Sequence, residues 1–202
     1  MMTYYRTDDQ VIHEEEKLSD GVWVQMINPT HDECEEIAEK LMVDIDDVKA
    51  ALDVEESSRI ELQDGYTLIL VDIPSIEERN GKDWFVTIPM AIITTKDMLI
   101  TVCLEETPVL TAFMDGRVRD FHTFMKTRFI LQILYKNATQ YLQYLRIIDK
   151  KSDIVEKELY KSPRNQELIE ILELQKSLVY FTTSLRSNEV VLEKLLKSEK
   201  IK

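Results

Sequence analysis

The second half of the chain carries an apolar pattern that repeats every seven residues, and this pattern constrains the fold more than any other feature. Between residues 134 and 159, apolar or small side chains are spaced alternately four and three residues apart, at Leu134, Ala138, Tyr141, Leu145, Ile148, Ser152, Val155 and Leu159. This spacing is typical of the seam of a coiled coil. It predicts one long helix that starts near residue 120 and has about forty residues, a length on the order of 60 Å.

A second long helix is predicted after the pair Ser162-Pro163. Proline clashes inside a helix but fits its first turn, so Ser162-Pro163 is expected to end the first helix and begin the next. The second helix carries a similar stripe, which consists of Leu168, Ile171, Leu178, Leu185, Leu192 and Leu196 and is interrupted by Gln175, Thr182 and Glu189. We expect the two helices to fold back on each other as an antiparallel hairpin over residues 119–202.

These two helices carry more apolar surface than one partner helix can cover. Further apolar side chains lie off the two stripes, namely Tyr144, Ile147, Ile154, Val179, Tyr180, Phe181 and Val191. An apolar surface of this size is normally buried against another element. We expect the missing partner to be a further helix, either from the same protein or from a neighbouring subunit. The alternative is a helical arm that simply dimerises.

Residues 1–118 show the alternation of strands and helices that is typical of an α/β domain. Strands are predicted at residues 3–7, 22–27, 59–62, 66–73, 84–93 and 98–104, with a polar loop after residue 73. Thr30 and Glu33 form the sequence signature of a capping box at the start of a helix, and Asp44 is expected to cap a second, shorter helix. A third short helix is predicted at residues 107–113.

The strands of this head are nearly continuous in apolar residues, which indicates burial on both faces of the sheet. Helices must therefore cover both sides. The predicted fold is an α/β/α sandwich with a mixed, largely buried sheet at residues 1–118, followed by a long antiparallel two-helix arm at residues 119–202. Because they fall within apolar segments, Met26, Met42, Met90 and Met98 are predicted to belong to the core.

Charge divides the chain in the same way. Residues 1–119 hold 27 acidic and 10 basic residues, whereas residues 120–202 hold 11 acidic and 15 basic residues. An acidic head repels nucleic acid and attracts cations or basic partners.

No apolar run approaches the ~18 residues of a membrane-spanning helix, and the amino terminus lacks the apolar core of a signal peptide. With only Cys34 and Cys103, in no paired motif, the sequence predicts a soluble cytosolic chain with reduced, buried thiols.

Nothing local in the sequence predicts an enzyme. The four glycines are isolated, unlike those of phosphate-binding loops, and the three histidines lack the spacing of a zinc site. One acidic stretch leaves an alternative open, because Glu55, Glu56 and Glu61 could form an acid pair held by the guanidinium group of Arg59. Such catalysis needs carboxylates with a perturbed pKa in a cleft, which a sequence does not show. We prefer the structural interpretation, in which Arg59 pairs locally with a carboxylate at the edge of the sheet.

Several segments, taken in order, resemble the cytosolic domain of CorA-type magnesium transporters. These are DVEESSRIE at 53–61, DGY at 64–66 with the strand that runs to DIP at 72–74, IPMAIITTKDMLITV at 88–102, KTRFILQILY at 126–135 and IDKKSDIVE at 148–156. The resemblance implies a homopentamer in which the heads and helix pairs surround a long stalk helix leading into the membrane. The stalk, two transmembrane segments and a Gly-Met-Asn pore loop are expected after Lys202. The chain is then the soluble part of a transporter at the cytoplasmic face of the cell membrane.

The same resemblance implies a regulatory function for the head. Mg²⁺ keeps most of its waters and is held by one or two carboxylates, so weak sites between subunits can sense the intracellular ion and gate the pore. Mg²⁺ is implied as both the regulatory and the transported ion, and no organic cofactor is implied. Two alternatives remain: a free-standing cytosolic module for oligomerisation or interaction, and an enzyme with an unrecognised carboxylate site.

One position departs from the family pattern. The sensing carboxylate of the family often sits three positions before the residue that matches Asp53, and here that position is Ala50. The nearest substitutes as metal ligands are Asp46, Asp47 and Asp53. Asp46 and Asp53 share a helix face if the helix continues that far. The alternative is that Asp44 and Asp47 cap a helix and that Asp53 begins a turn.

Overall fold

The structure is a computed structural model that describes residues 1–9, 11–79, 81–161 and 165–197. These residues form seven strands, five α-helices and one 3-10 helix. In chain order the elements are β1 (Met2–Asp8), β2 (Val11–Glu15), β3 (Trp23–Ile27), α1 (His31–Leu41), α2 (Ile45–Lys49), the 3-10 helix (Ala50–Leu52), β4 (Arg59–Leu62), β5 (Tyr66–Arg79), β6 (Lys82–Thr95), β7 (Leu99–Cys103), α3 (Pro108–Met114), α4 (Lys126–Lys161) and α5 (Asn165–Lys197).

The seven strands form one mixed sheet in the order β2-β1-β3-β7-β6-β5-β4. β3 and β7 run parallel, and the other neighbouring pairs are antiparallel. Successive side chains of a strand point to opposite faces. On β5, Leu68 and Leu70 pack in the core under α1, α2 and the 3-10 helix, whereas Ile69 and Val71 pack in the core under α3, α4 and α5. The predicted α/β/α sandwich with a mixed, buried sheet is therefore confirmed.

The predicted helix caps are also confirmed. Thr30 Oγ1 accepts a hydrogen bond from the backbone N–H of Glu33 at 3.2 Å, and Glu33 Oε2 accepts one from the backbone N–H of Thr30 at 2.8 Å. These two bonds form the capping box of α1. At the start of α2, Asp44 Oδ1 accepts a hydrogen bond from the backbone N–H of Asp46 at 2.9 Å. Both helices therefore begin where local sequence chemistry places them.

The prediction that four methionines belong to the core is right for three of them. Met26, Met90 and Met98 are buried. Met42 is 86% exposed, so its assignment to the core is wrong. It ends α1 in the left-handed conformation, with φ of 53°, and the chain turns away there before the side chain can reach the sheet.

β5 and β6 continue well beyond the predicted strands and form a long hairpin. They pair from Tyr66 opposite Thr95 to Arg79 opposite Lys82, so the polar loop predicted after residue 73 is wrong. The far end of the hairpin lies against the helices and not between two other strands, and Phe85 packs there with residues of α4 and α5. One face of the hairpin end is therefore polar, and for this reason its sequence resembles that of a loop. The edge strand β2 was missed because its side chains are mostly exposed and lack an apolar alternation.

The two predicted long helices are present, and they run antiparallel. Residues near the start of α4 share a core with residues near the end of α5, as Phe129 does with Val191 and Leu195, while Tyr141 packs against Phe181 in the middle of both helices. The predicted break at Ser162-Pro163 lies outside the described residues. Since both helices contribute to the core of the sheet, the division into a head and an arm at residues 118 and 119 stays a prediction.

The buried faces of the two helices differ from the predicted stripes. On α5, the buried positions are Leu174, Ser177, Phe181, Ser184, Asn188, Val191 and Leu195, whereas Leu178 of the predicted leucine stripe is 41% exposed. On α4, Leu134, Tyr141, Ile148 and Val155 are buried as predicted, but Ala138 and Ser152 are exposed. Tyr144, Phe181 and Val191, predicted to lie off the stripes, are buried. Both stripes of α5 repeat every seven residues. The stripe that packs against the sheet is the one that includes the small and polar residues Ser177, Ser184 and Asn188.

Candidate functional site

The predicted metal ligands lie around α2, on the outer side of the helices that cover the first face of the sheet. Asp46 is exposed in the first turn of α2, and Asp53 is exposed just after the 3-10 helix. Asp53 Oδ1 accepts a hydrogen bond from the backbone N–H of Glu55 at 3.0 Å. Asp47 is half-buried, and its Oδ2 accepts a hydrogen bond from the hydroxyl of Tyr66 at 2.6 Å. Asp46 and Asp53 are therefore the more accessible carboxylates.

Within the described ranges, no three histidine, cysteine, aspartate or glutamate side chains come together as a metal-binding group. Asp46, Asp47 and Asp53 do not form such a group within one copy of the chain. Ala50 is 7% exposed and packs in the core between the sheet and the first helices, so its side chain is directed away from the surface. The metal-binding role of the three aspartates stays a prediction, and a site built from them needs ligands from water or from another subunit.

Tyr66 links α2 to the sheet. Its hydroxyl donates to Asp47 and accepts a hydrogen bond from the backbone N–H of Asp44 at 3.2 Å. Burial, followed by the hydrogen bond to Asp47, raises the pKa of Tyr66 to about 12. In this arrangement Asp47 therefore has a structural role, because it binds the hydroxyl of Tyr66.

The acidic stretch after the 3-10 helix is organised by Arg59. The guanidinium group pairs with Glu56, at 2.6 Å, and with Glu61. All three side chains are about one-third exposed. This local pairing agrees with the structural interpretation, in which Arg59 neutralises neighbouring carboxylates where the loop enters β4.

The outer side of α4 and α5 carries many exposed apolar side chains. Exposed apolar side chains follow both helices, at Leu131, Tyr135, Leu142, Leu178, Leu185, Leu192 and Leu196. Two shallow grooves run between the helices on this side. Each groove has an apolar and a polar part. One is lined by Leu134, Ala138, Tyr141, Leu185 and Leu192 together with Asn137, Asn188 and Glu189, and the other by Leu145, Ile148, Ile171, Leu174 and Leu178 together with Arg146, Asp149, Ser152 and Gln175. We call the exposed side chains and the two grooves together the outer helical face.

The outer helical face contains most positions of both predicted stripes. Soluble monomers rarely expose a continuous apolar surface of this kind, and such surfaces commonly bind another protein element. The expectation that the helix pair leaves apolar surface uncovered is thus confirmed for the described residues. Grooves between two antiparallel helices are where a third helix packs in helical bundles.

A buried polar network, which the sequence did not predict, joins β5 to both long helices. The side chain of Asn188 accepts a hydrogen bond from the backbone N–H of Asp72 at 2.9 Å and donates one to the backbone carbonyl of Asp72 at 2.7 Å. Asn137 and Tyr141 of α4 donate to the same carbonyl, at 2.9 Å and 3.2 Å. Ser58 donates to Asn188 Oδ1 at 3.1 Å. The signal in the sequence was the seven-residue spacing that Asn188 shares with Leu174 and Phe181.

None of the helices in the described part of the chain contains a stretch long and apolar enough to span a membrane.

Comparison with known proteins agrees with the fold and with the resemblance. The family model described as "CorA-like Mg2+ transporter protein" matches residues 19–202. The cobalt/magnesium transport protein CorA of Methanocaldococcus jannaschii is 23% identical over 193 residues, which cover 91% of this chain and 57% of that protein. The chain thus spans little more than half the length of this relative.

Two solved structures of CorA from Methanocaldococcus jannaschii share the fold. The complete CorA magnesium transporter matches with a TM-score of 0.85 and 20% identity, over 98% of this chain and 63% of that chain. The soluble domain matches with a TM-score of 0.83 and 22% identity, over 98% of this chain and 80% of that chain. Because the family model covers nearly the whole sequence, the chain belongs to the family of CorA-like Mg²⁺ transporter proteins.

Proposed function

We propose that this chain is the cytoplasmic, regulatory part of a CorA-like divalent-cation transporter, which senses the intracellular cation between subunits and gates a membrane pore formed by other parts of the protein. In this proposal the transporter is a homopentamer at the cell membrane, and Mg²⁺ is both the regulatory and the transported ion. The observation that carries the proposal is the outer helical face. It is exposed in this chain, and the rest of a transporter would supply the element that covers it.

The partner proposed for the outer helical face is the stalk helix of the transporter. A helix lying in the grooves would cover Leu178, Leu185 and Leu192, which are more than one-third exposed. Burying apolar surface contributes about 25 cal/mol for each Å² removed from water. Three helices packed in this way form a bundle whose third member leads to the membrane.

The charge of the head supports a response to cations. Subunits with 27 acidic and 10 basic residues in their first 119 positions repel one another when they are brought together in a ring. A divalent ion between subunits reduces that repulsion, and its loss loosens the ring. Asp46 and Asp53 are exposed and are the proposed ligands on this chain, and Asp47 is the third candidate.

The proposal is tested first by the effect of Mg²⁺ on association of this chain. Sedimentation velocity with millimolar MgCl₂ is expected to show stronger self-association than in EDTA with NaCl at matched ionic strength. The double variant Asp46→Asn, Asp53→Asn is expected to lose the difference, while the control variant Glu39→Gln, which removes an exposed carboxylate from α1, is expected to keep it. An association constant that is indifferent to Mg²⁺ in the wild-type chain would count against cation sensing between subunits.

The transport part is tested with the complete gene in cells that lack Mg²⁺ uptake. We expect rescue of growth by the wild-type gene and loss of rescue by the variant Leu185→Ser, Leu192→Ser at normal protein levels. Val190→Ser is the control because Val190 is exposed on α5 but lies outside the grooves. Normal transport by the double variant would refute docking on the outer helical face. Failure of the wild-type gene to restore growth would favour a free-standing interaction module.

A further inference from the structure

One groove of the outer helical face contains a buried amide. Asn137 of α4 is among the residues that line the groove bordered by Leu185 and Leu192. Only 3% of Asn137 is exposed, whereas Leu185 and Leu192 are each 37% exposed. An asparagine side chain has two N–H groups that donate hydrogen bonds and an oxygen that accepts them. The partners of each group therefore show whether the amide is complete within this chain.

The contact with the sheet fixes the orientation of this amide. Nδ2 of Asn137 donates a hydrogen bond to the backbone carbonyl of Asp72 at 2.9 Å. A carbonyl can only accept a hydrogen bond, so exchanging the nitrogen and the oxygen of the amide would place two acceptors against each other. Oδ1 of Asn137 is therefore the atom of the amide that is directed away from Asp72.

Oδ1 of Asn137 is buried and has no hydrogen-bond partner among the described residues. Buried polar atoms nearly always have a partner, because an unsatisfied one destabilises the folded chain. The neighbouring polar side chains of the groove are already engaged, since Tyr141 and Asn188 both bind the backbone of Asp72. The donor for Oδ1 therefore has to come from outside these residues.

A helix that packs in the groove can bring a donor to this oxygen. Exposed side chains change rotamer within nanoseconds, so Leu185 and Leu192 at the border of the groove can move aside when a helix packs against them. A donor on that helix would then lie among apolar side chains and away from water. Hydrogen bonds are stronger in such surroundings than in water.

We propose that Asn137 sets the register of the helix that docks on the outer helical face, because its Oδ1 accepts a hydrogen bond from one donor side chain on that helix. The donor is a serine, threonine, asparagine, glutamine, lysine or arginine within an otherwise apolar stripe. This inference rests on the proposed function, in which the stalk helix of the same protein is the docked element. This chain covers 63% of the complete CorA transporter of Methanocaldococcus jannaschii, so a relative of that length has further chain to supply the helix.

A single polar contact is enough to select one register. In apolar helix interfaces, one buried polar residue specifies how the helices align along their length. A docked helix that shifts along the groove loses the hydrogen bond to Asn137 and buries its own donor without an acceptor. The apolar contacts with Leu185 and Leu192 lack this directionality, since burial of apolar surface does not depend on the direction of approach.

The test measures how a synthetic peptide with the stalk sequence, taken from the complete gene, binds to this chain in isothermal titration calorimetry. Asn137→Leu keeps a branched side chain but removes the acceptor. It is expected to bind the peptide about tenfold more weakly than the wild-type chain does, because the donor of the peptide then has no partner. Gln143→Leu is the matched control, since Gln143 is an exposed amide of α4 that lines neither groove, and it is expected to bind like the wild type.

Two further readouts separate a register contact from a purely structural role of Asn137. In urea unfolding of the chain alone, Asn137→Leu is expected to keep the wild-type midpoint, because the carbonyl of Asp72 retains Tyr141 and Asn188 as donors and the unsatisfied oxygen is gone. In double-mutant cycles, each donor side chain of the peptide is replaced by alanine. One of these replacements is expected to couple to Asn137→Leu by about fivefold.

A measurement on the wild-type chain keeps the proposal testable if Asn137→Leu alters the fold. The ¹³Cγ resonance of Asn137 should move downfield when the peptide saturates the chain, because Oδ1 gains a hydrogen bond, and the methyl resonances of Leu185 and Leu192 report docking itself. Methyl shifts without a change at Asn137, or equal binding by the wild type and Asn137→Leu, would overturn the register contact but leave docking intact. A peptide that shifts none of these resonances would refute docking on the outer helical face, and with it this inference.

Discussion

Replacing Asn188 with alanine tests the central contact between α5 and the sheet. The side chain of Asn188 is 7% exposed, and it satisfies two backbone groups of Asp72 with hydrogen bonds of 2.9 Å and 2.7 Å. Alanine removes both bonds without changing the backbone of the helix. The N–H of Asp72 then has no acceptor, because β4 does not reach this part of β5.

The size of the effect can be worked out group by group. An unsatisfied buried N–H costs ~1–3 kcal/mol. The carbonyl of Asp72 keeps the donors Asn137 and Tyr141, so it contributes little to the loss. Ser58 loses its acceptor on Asn188, but Ser58 is only half-buried and can bind water instead. Alanine gains roughly 0.5 kcal/mol of helix propensity over asparagine. The net loss is about 1.5 kcal/mol, which lowers the Tm of a chain of this size by ~3–6 °C.

The assay is urea unfolding followed by circular dichroism at 222 nm, with the unfolding slope m required to stay unchanged. Glu189→Ala is the matched control, because Glu189 is the next residue of α5 and is exposed. We expect this control to stay within about 0.5 kcal/mol of the wild type. If Asn188→Ala is no less stable than Glu189→Ala, the backbone of Asp72 is satisfied without α5 and the reasoning fails.

Three further predictions concern the head. Thr30→Ala removes the capping box of α1 and is expected to cost ~1 kcal/mol in thermal unfolding, whereas no loss would mean that the cap is replaced by water. Absorbance near 295 nm should show Tyr66 titrating with a pKa of about 12. The contribution of Tyr66 to stability is then present below pH 10 and is lost as pH rises through 12. Asp47→Asn should move the pKa of Tyr66 toward its ordinary value. Gly21→Ala is expected to cost ~1–2 kcal/mol, because Gly21 has φ of +80° and a new Cβ would lie 3.2 Å from Phe124 Cβ. Gly65→Ala is the control, since Gly65 has φ of +87° but open space around a new Cβ. If Gly21→Ala costs no more than Gly65→Ala, the contact with Phe124 has no effect on stability.

Features that depend on neighbouring residues in sequence were predictable. The capping box of Thr30 and Glu33 and the cap at Asp44 need only a few residues of one chain segment, and both are present. The sandwich followed from the apolar strands, since a sheet buried on both faces requires helices on both sides. The family followed from the order of several loose motifs, although each motif alone is weak.

Features that depend on tertiary contacts were not predictable in this way. The end of the β5–β6 hairpin reads as a polar loop because its support comes from helices more than fifty residues away, as the contact between Phe85 and Tyr144 shows. The candidate aspartates are a similar case. The sequence places Asp46, Asp47 and Asp53 close together along the chain. Only the structure shows that the carboxylate of Asp47 accepts a hydrogen bond from Tyr66 of β5. A site completed by another subunit has no signature in a single sequence.

The orientation of α5 shows why the leucine stripe was assigned to the wrong face. An amphipathic helix normally turns its leucines toward the sheet, but the free edge of β5 offers the unpaired N–H and C=O of Asp72, which only a polar side chain can satisfy. Asn188 therefore faces the sheet, and Leu185 and Leu192 face outward. Asn188 binds the backbone of Asp72 and also lines the groove that Leu185 and Leu192 border. The polar contact with the sheet and the exposed leucines of α5 are therefore neighbours along one groove, which is why the seven-residue period alone does not decide which stripe faces the sheet.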